Sequence, residues 1–203
     1  MRTLLHTFVL MFALLVSAQV ARAQEVSAYL GLGSAYVSSN ASQIDTFGDG
    51  TLHKTPNLNG VFANLGASVF INKHVGIGAE LAWKPSQTDY AGLLYRPSFY
   101  NFDAIYRLGR TTKRLGSPEL RAGIGGARLR FNFDDPTTCD QVPGCPDSTH
   151  FQVHLGAATR WYLSDHVFLR PALDVHYVTN FSEFGHNWVP RYSVSVGYTF
   201  GRE

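Results

Sequence analysis

The sequence is short of charge, of cysteine and of long apolar runs. Charged residues make up 16% of the 203, against roughly 25% in an average soluble domain. Basic and acidic residues number 17 and 15 and form no basic stripe. Nucleic-acid binding needs such a stripe, so no nucleic-acid partner is expected. The two cysteines, Cys139 and Cys145, are too few for a disulfide scaffold or a four-thiolate metal centre. No cofactor or metal motif is present, and none is predicted. Beyond the first stretch, no segment approaches the roughly 20 apolar residues of a membrane-spanning helix. Aromatics, at 13%, and glycine, with 19 residues, are well supplied.

The first stretch reads as an export signal. Arg2 is followed by the apolar run Leu4–Val16 and by Ala21-Arg22-Ala23, an A-x-A cleavage pattern. Residues 1–23 are therefore expected to be a Sec signal peptide, and residues 24–203 the mature domain. A membrane anchor is the alternative, but the run is too short and basic residues do not follow it. Gln24, standing where a lipoprotein has cysteine, argues against lipidation. Without residues 1–23 the chain loses Arg2 and Arg22, leaving 15 basic against 15 acidic residues.

The main signal is a period of two. Tyr192, Val194, Val196, Tyr198 and Phe200 alternate with Arg191, Ser193, Ser195, Gly197 and Thr199. Val167, Leu169, Leu173, Val175, Tyr177 and Phe181 alternate with Arg170, Asp174, His176 and Asn180. The same pattern starts at Val26, Val61, Val75, Phe102 and Phe151. Such alternation predicts strands with two unlike faces. In Glu119–Phe133 the apolar residues change phase, from Leu120, Ala122 and Ile124 to Ala127, Leu129, Phe131 and Phe133. A β-bulge is expected at Gly125-Gly126. About eight strands of about ten residues each result, enough to cross a bilayer at a tilt.

Connections alternate between short and long. Ile71–Val75 and Leu163–Val167 are tight turns that resemble each other, each with a His-Val pair, and the basic Gly109–Pro118 lies on the same side. Ser39–Asn57, Pro85–Gly92, Asp134–Thr149 and Ser182–Pro190 are longer polar loops. Short turns at one end and long loops at the other fit a membrane barrel. Aromatics near strand ends (Trp83, Tyr106, Phe131, Phe133, Trp161, Tyr198, Phe200) fit the two bilayer interfaces. The apolar face is thus assigned to lipid and the polar face to the lumen. The expected fold is all-β: an eight-stranded antiparallel transmembrane β-barrel.

The mature chain resembles, over nearly its whole length, the bacterial outer-membrane β-barrel domain family, the OmpA- and OmpX-like small barrels. The residues carrying the resemblance are the inverted dyad pattern, Leu163–Tyr177 and the final Arg191–Phe200. It implies an outer-membrane location, outer-membrane lipid as surroundings, and barrel assembly machinery as the partner in biogenesis. It also implies an assembly signal in Tyr198 and Phe200, although Gly201-Arg202-Glu203 extends past the aromatic end. A monomer is expected.

Several side-chain groups carry chemistry. Glu80, Asp103, Arg107, Arg121, Arg128, Arg130, His154, Arg160, Arg170, Asp174 and His176 are expected in the lumen, as a polar network that fills it. Pairing Leu163 with Val167 places His154 opposite His176. That pair reads as a hydrogen-bonded couple, with a metal site or pH-sensitive gate as the alternative. Cys139 and Cys145 lie in one loop and are expected to form a disulfide. Asp134, Asp135, Asp140 and Asp147 crowd the same region without EF-hand spacing. Asp147, Ser148 and His150, and separately Ser182, Glu183 and His186, are local Ser/His/acid groups with no family catalytic motif around them, so no enzyme is expected. The reading is an integral barrel with a structural, adhesive or interaction role through surface loops whose ligand the sequence does not name. A porin-like small-solute pore is the alternative, and an outer-membrane lipid-modifying hydrolase the second.

Overall fold

A computed structural model describes residues 25–37, 43–45, 50–54, 58–90, 93–109, 116–132 and 147–201. The signal-peptide segment and the Cys139–Cys145 pair lie outside the described residues. Among the described residues are eleven strands: β1 (Glu25–Ala35), β2 (Gln43–Ile44), β3 (His53–Lys54), β4 (Phe62–Phe70), β5 (Val75–Trp83), β6 (Thr88–Tyr90), β7 (Leu93–Arg107), β8 (Ser117–Asn132), β9 (Asp147–Tyr162), β10 (Val167–Val178) and β11 (Trp188–Phe200). Eight of them, β1, β4, β5 and β7 to β11, form one antiparallel ring. β5 pairs with β7, and the first strand pairs with the last from Val26↔Phe200 to Ala35↔Arg191. Closure leaves no sheet edge, which is what lets a β-structure stand in lipid.

The expected loops hold more structure than their composition suggests. β2 and β3 pair within Ser39–Asn57, and β6 extends the β7 hairpin within Pro85–Gly92. A 3-10 turn, Ser182–Phe184, precedes β11.

The two similar tight turns share one construction. Ile71 N donates to Val75 O at 3.0 Å, and Leu163 N to Val167 O at 2.8 Å. Asn72 Oδ1 accepts from the Val75 amide at 2.8 Å, and Ser164 Oγ from the Val167 amide at 3.1 Å. In each turn the histidine reaches the neighbouring strand. His74 Nδ1 lies 3.0 Å from Arg107 O with its ring on Tyr106, and His166 Nδ1 lies 3.1 Å from Thr199 O with its ring on Tyr198.

The outer face carries an exposed apolar band that includes Leu30, Leu65, Ile77, Phe102, Ile124, Leu155, Leu173 and Val194. Burial in water would favour the reverse, so the band marks the wall that lipid covers.

The expected bulge is absent. β8 stays in unbroken register with β7 from Leu94↔Asn132 to Arg107↔Glu119, and with β9 from Ser117↔Arg160 to Arg130↔Asp147. Ala127, Leu129 and Phe131 therefore point inward and are buried, while Arg128 and Arg130 point outward and are exposed. The phase change in the sequence is a change of surroundings along a regular strand. Near the short turns the outside is apolar and the inside charged. Near the long loops the inside of β7 and β8 becomes apolar and their outside carries Arg96, Arg128 and Arg130.

Phe131 and Phe181, expected on the outer face, join this inner apolar cluster with Val37, Leu58, Phe62, Tyr95, Phe99, Phe184 and Val189. The rings interlock: Tyr95 meets Phe131 at 6.1 Å and Phe184 at 6.0 Å, and Phe181 meets Phe184 at 4.6 Å. The polar lumen of the sequence reading thus holds only in the half toward the short turns.

Candidate functional site

Inward positions along successive strands bring the charges together. In the half toward the short turns, five buried carboxylates (Glu25, Glu80, Asp103, Glu119, Asp174) face five buried guanidinium groups (Arg107, Arg121, Arg160, Arg170, Arg191). The balance matters because an unpaired charge in this interior costs several kcal/mol. At the short-turn end Arg107 forms a bidentate pair with Glu25, both bonds 2.9 Å, and reaches Glu119 at 3.3 Å. Arg160 donates to Glu25 at 3.1 Å, and its Nε lies 2.8 Å from Glu119 Oε1 as an ion pair. The Arg107 guanidinium lies 3.8 Å above the Phe70 ring, a cation–π contact.

At mid-height Glu80 gathers Arg121 at 3.1 Å, Arg191 and the Tyr29 hydroxyl at 3.0 Å. Arg121 and Arg191 also hold Asp174, and Arg170 stacks over Tyr29 at 4.3 Å. Glycine supplies the room. A Cβ at Gly66 would overlap the Tyr29 ring, and one at Gly156 would overlap Asp174 Oδ1. Glu25, Glu119 and Arg191 were not singled out in the sequence. Their inward parity was legible, since each sits on the polar side of its alternation.

His154 and His176 are cross-strand partners, with rings stacked at 4.7 Å and 24°. His154 lies 2.8 Å from Asp103 Oδ1 through Nδ1 and 3.1 Å from Asp174 Oδ1 through Nε2. His176 has no hydrogen-bond partner at either ring nitrogen among the described residues. It packs against Phe99 at 5.4 Å, at the boundary between the charge network and the apolar cluster. Ligand atoms of His154, Asp174 and His176 come within 4.8 Å of one another. They make a poor metal centre. Imidazole lone pairs lie in the ring planes and do not converge from stacked rings, and Asp174 is already engaged by two guanidinium groups.

Above the apolar cluster, Ser148 and His150 at the start of β9 meet Glu183 of the 3-10 turn. The sequence reading placed these residues in two separate groups. Ser148 Oγ donates to Glu183 Oε1 at 2.8 Å, and His150 Nε2 lies 2.9 Å from the same oxygen and 2.7 Å from Ser148 Oγ. A carboxylate only accepts, so Nε2 carries its hydrogen toward Glu183 and cannot take the serine proton. A nucleophile relay needs the acid on the opposite ring nitrogen. The set is a clasp that ties the turn to β9, with His150 edge-on to Phe181 at 5.5 Å.

Burial pushes the Glu183 carboxyl up, but the hydrogen bonds from His150 and Ser148 hold it below the usual range. A depressed carboxyl contributes stability above its unfolded value and loses it as pH falls through the folded one. The clasp should therefore loosen below about pH 4.3, the ordinary glutamate value. Fluorescence of Trp188, beside the turn, should change over that acid range in the wild type and stay flat in Glu183→Gln. An identical acid transition in the variant would reject the clasp.

Arg128 and Arg130 were expected in the lumen network, and the structure corrects both to the outer face. Arg130 stands directly across from the exposed Arg96, and Arg128 across from Ser98.

Comparison with known proteins sharpens the picture. The chain aligns with the crystal structure of Ail, the attachment invasion locus protein of Yersinia pestis in complex with the heparin analogue sucrose octasulfate: TM-score 0.55, 14% identity, 87% of this chain and 98% of that one. OprG, an outer membrane protein from Pseudomonas aeruginosa, aligns with TM-score 0.54 and 16% identity over 90% of this chain and 98% of that one. Neisserial surface protein A gives 0.53 and 14% over 87% and 96%. At these identities the likeness is one of fold. No curated protein matches by sequence. The family model described as outer membrane protein beta-barrel domain matches residues 8–200. With that match over most of its length, and with a closed ring of eight strands behind an apolar outer wall, the chain belongs to the outer-membrane β-barrel domain family.

Proposed function

We propose that this protein is a sealed, non-conducting barrel of the bacterial outer membrane that works as an interaction protein through its extracellular loops. The observation that carries this is the double closure of the lumen. A network of ion pairs fills the periplasmic half, and an aromatic plug, roofed by the Ser148–His150–Glu183 clasp, closes the extracellular half. A conducting pore needs a continuous wet path with weak sites along it. Here the path would cross buried Phe99, Phe181 and Phe184.

The loops are where sequence is free of the barrel's demands. Residues 38–61 and 133–146 are long for connections between strands, and long loops on a rigid scaffold are a common seat of recognition. Outer-membrane barrels carry their longer loops on the extracellular side, which supports reading that end as outward.

Planar-bilayer recording of the refolded mature protein is the direct test. No conductance steps should appear in wild type, nor when Phe99, Phe181 and Phe184 are all changed to alanine, because the charge network still fills the other half. Regular steps from the wild type would overturn the sealed reading in favour of a small-solute pore. The lipid-hydrolase reading is tested on the same sample. Ester release from outer-membrane lipid that disappears in Ser148→Ala would establish it against the clasp geometry.

A further inference from the structure

We propose that Arg96, Arg128 and Arg130 form a seat for the phosphate groups of a phosphorylated lipid of the outer leaflet. The starting point is a juxtaposition that a β-ladder normally avoids. Arg96 on β7 and Arg130 on β8 are direct cross-strand partners, and like charges in that relation repel. Directly opposed residues have Cα atoms about 5 Å apart. Arg128 lies two residues along the same face, across from Ser98. All three arginines are exposed. One multivalent anion bridging them converts the repulsion into paired, charge-assisted hydrogen bonds, for which guanidinium geometry is suited.

Position selects the occupant. Directly below the arginines the outer face turns apolar and aromatic: Tyr100, Phe102, Ile124, Phe151 and Val153 are all exposed. The Tyr100 ring covers Gly126, the next outward residue below Arg128 on β8. Aromatic rings of this kind sit at the headgroup level. Two residues of strand rise about 7 Å, or about 5 Å along the membrane normal at a barrel's tilt. Arg128 therefore stands about 5 Å above the aromatic edge and Arg130 about twice that. This is the layer where the phosphates of a lipid lie when its acyl chains run down the apolar band.

The basic cluster is confined to one side. At the long-loop ends of β1 and β11 the outward residues are Tyr36, Trp188, Pro190 and Tyr192. The exposed Asp89 pairs with Leu94, diagonal to Arg96, and sets the edge of the cluster toward the loops. A soluble polyanion would find these arginines on a flat outer wall that the headgroup layer already surrounds. A lipid reaches them from within that layer, with its chains anchored on the same face.

The test places the refolded mature protein in nanodiscs of phosphatidylcholine containing bisphosphorylated lipid A, or lipid A stripped of both phosphates. Lipid retained on the protein is counted by native mass spectrometry. Wild type should retain the phosphorylated form selectively. The triple variant R96Q/R128Q/R130Q should lose about 100-fold in that preference, at about a factor of five per basic residue near an anionic lipid. Circular dichroism and the heat-dependent mobility shift verify folding. If the triple variant fails to fold, R96Q alone serves, and should lose about fivefold.

Equal retention of the two lipid A forms by wild type would overturn the proposal. So would unchanged selectivity in a folded variant, or binding of free pyrophosphate or heparin that competes fully with the lipid and matches it in affinity. A fall in stability of the variant that is the same in both lipids would assign the arginines a structural role instead, and equally overturn it.

Discussion

Replacing Glu80 by alanine is expected to destabilise the barrel by roughly 3–5 kcal/mol, the cost of stranding buried charge. Glu80 is 3% exposed and is the shared partner of Arg121, Arg191 and the Tyr29 hydroxyl, with Arg170 at 3.6 Å. The other carboxylates of the network cannot take its place without abandoning a guanidinium, because Glu25, Asp103, Glu119 and Asp174 are themselves engaged by Arg107, Arg121, Arg160 and Arg191. The measurement is reversible denaturant unfolding in lipid vesicles. The companion double variant Glu80→Ala/Arg191→Met should be less damaged than the single one, because it removes a stranded charge together with its partner. Destabilisation below about 1 kcal/mol, or a double variant that loses the full sum of its parts, would show that water reaches the site and screens it.

Val194→Arg is expected to cost roughly 2–4 kcal/mol, the penalty for arginine at the bilayer midplane on a lipid-facing strand position. Val194 is 51% exposed, lies midway along β11, and pairs with Leu32 and Pro171 in the outer apolar band. The informative contrast is depth. Ser98→Arg, on the outer face beside Arg128, should cost about 0–1 kcal/mol, as substitutions near an interface do. Ser195→Arg would not be a neutral control. Ser195 is buried and accepts from Asn64 Nδ2 at 2.9 Å, and a further guanidinium there would upset a filled, charge-balanced lumen. Equal costs for Val194→Arg and Ser98→Arg would mean that lipid does not end where the arginine row begins.

The period of two made the strands, their faces and much of their pairing legible. The β9–β10 hairpin follows from the turn alone: once Leu163 bonds Val167, strict antiparallel counting brings His154 opposite His176. What alternation cannot state is where the bilayer stops. An apolar residue on one parity looks the same whether it faces lipid or a dry interior. Ala127, Leu129 and Phe131 therefore read as a slip of the backbone, when the backbone is regular and the solvent has changed. Arg128 and Arg130 were misplaced by the same step, and with them the arginine row. The clasp was hidden for another reason. Ser148 and His150 lie more than thirty residues from Glu183, and only the closed hairpin with its 3-10 turn brings them together.

The charge network also constrains how the barrel comes into being. Glu25 belongs to the first strand, and Arg191 to the last; their partners Arg107, Arg160, Glu80 and Asp174 are spread over β7, β9, β5 and β10. A partly curled sheet would present these groups singly, with neither partner nor water once it entered lipid. Insertion and closure must then be concerted: a half-assembled ring has no resting place in the hydrocarbon, and the seam between β1 and β11 should close in the same event that neutralises the interior. Such a chain behaves as a single cooperative unit, shut or unfolded, with its slowest step at the final zipping of its two ends.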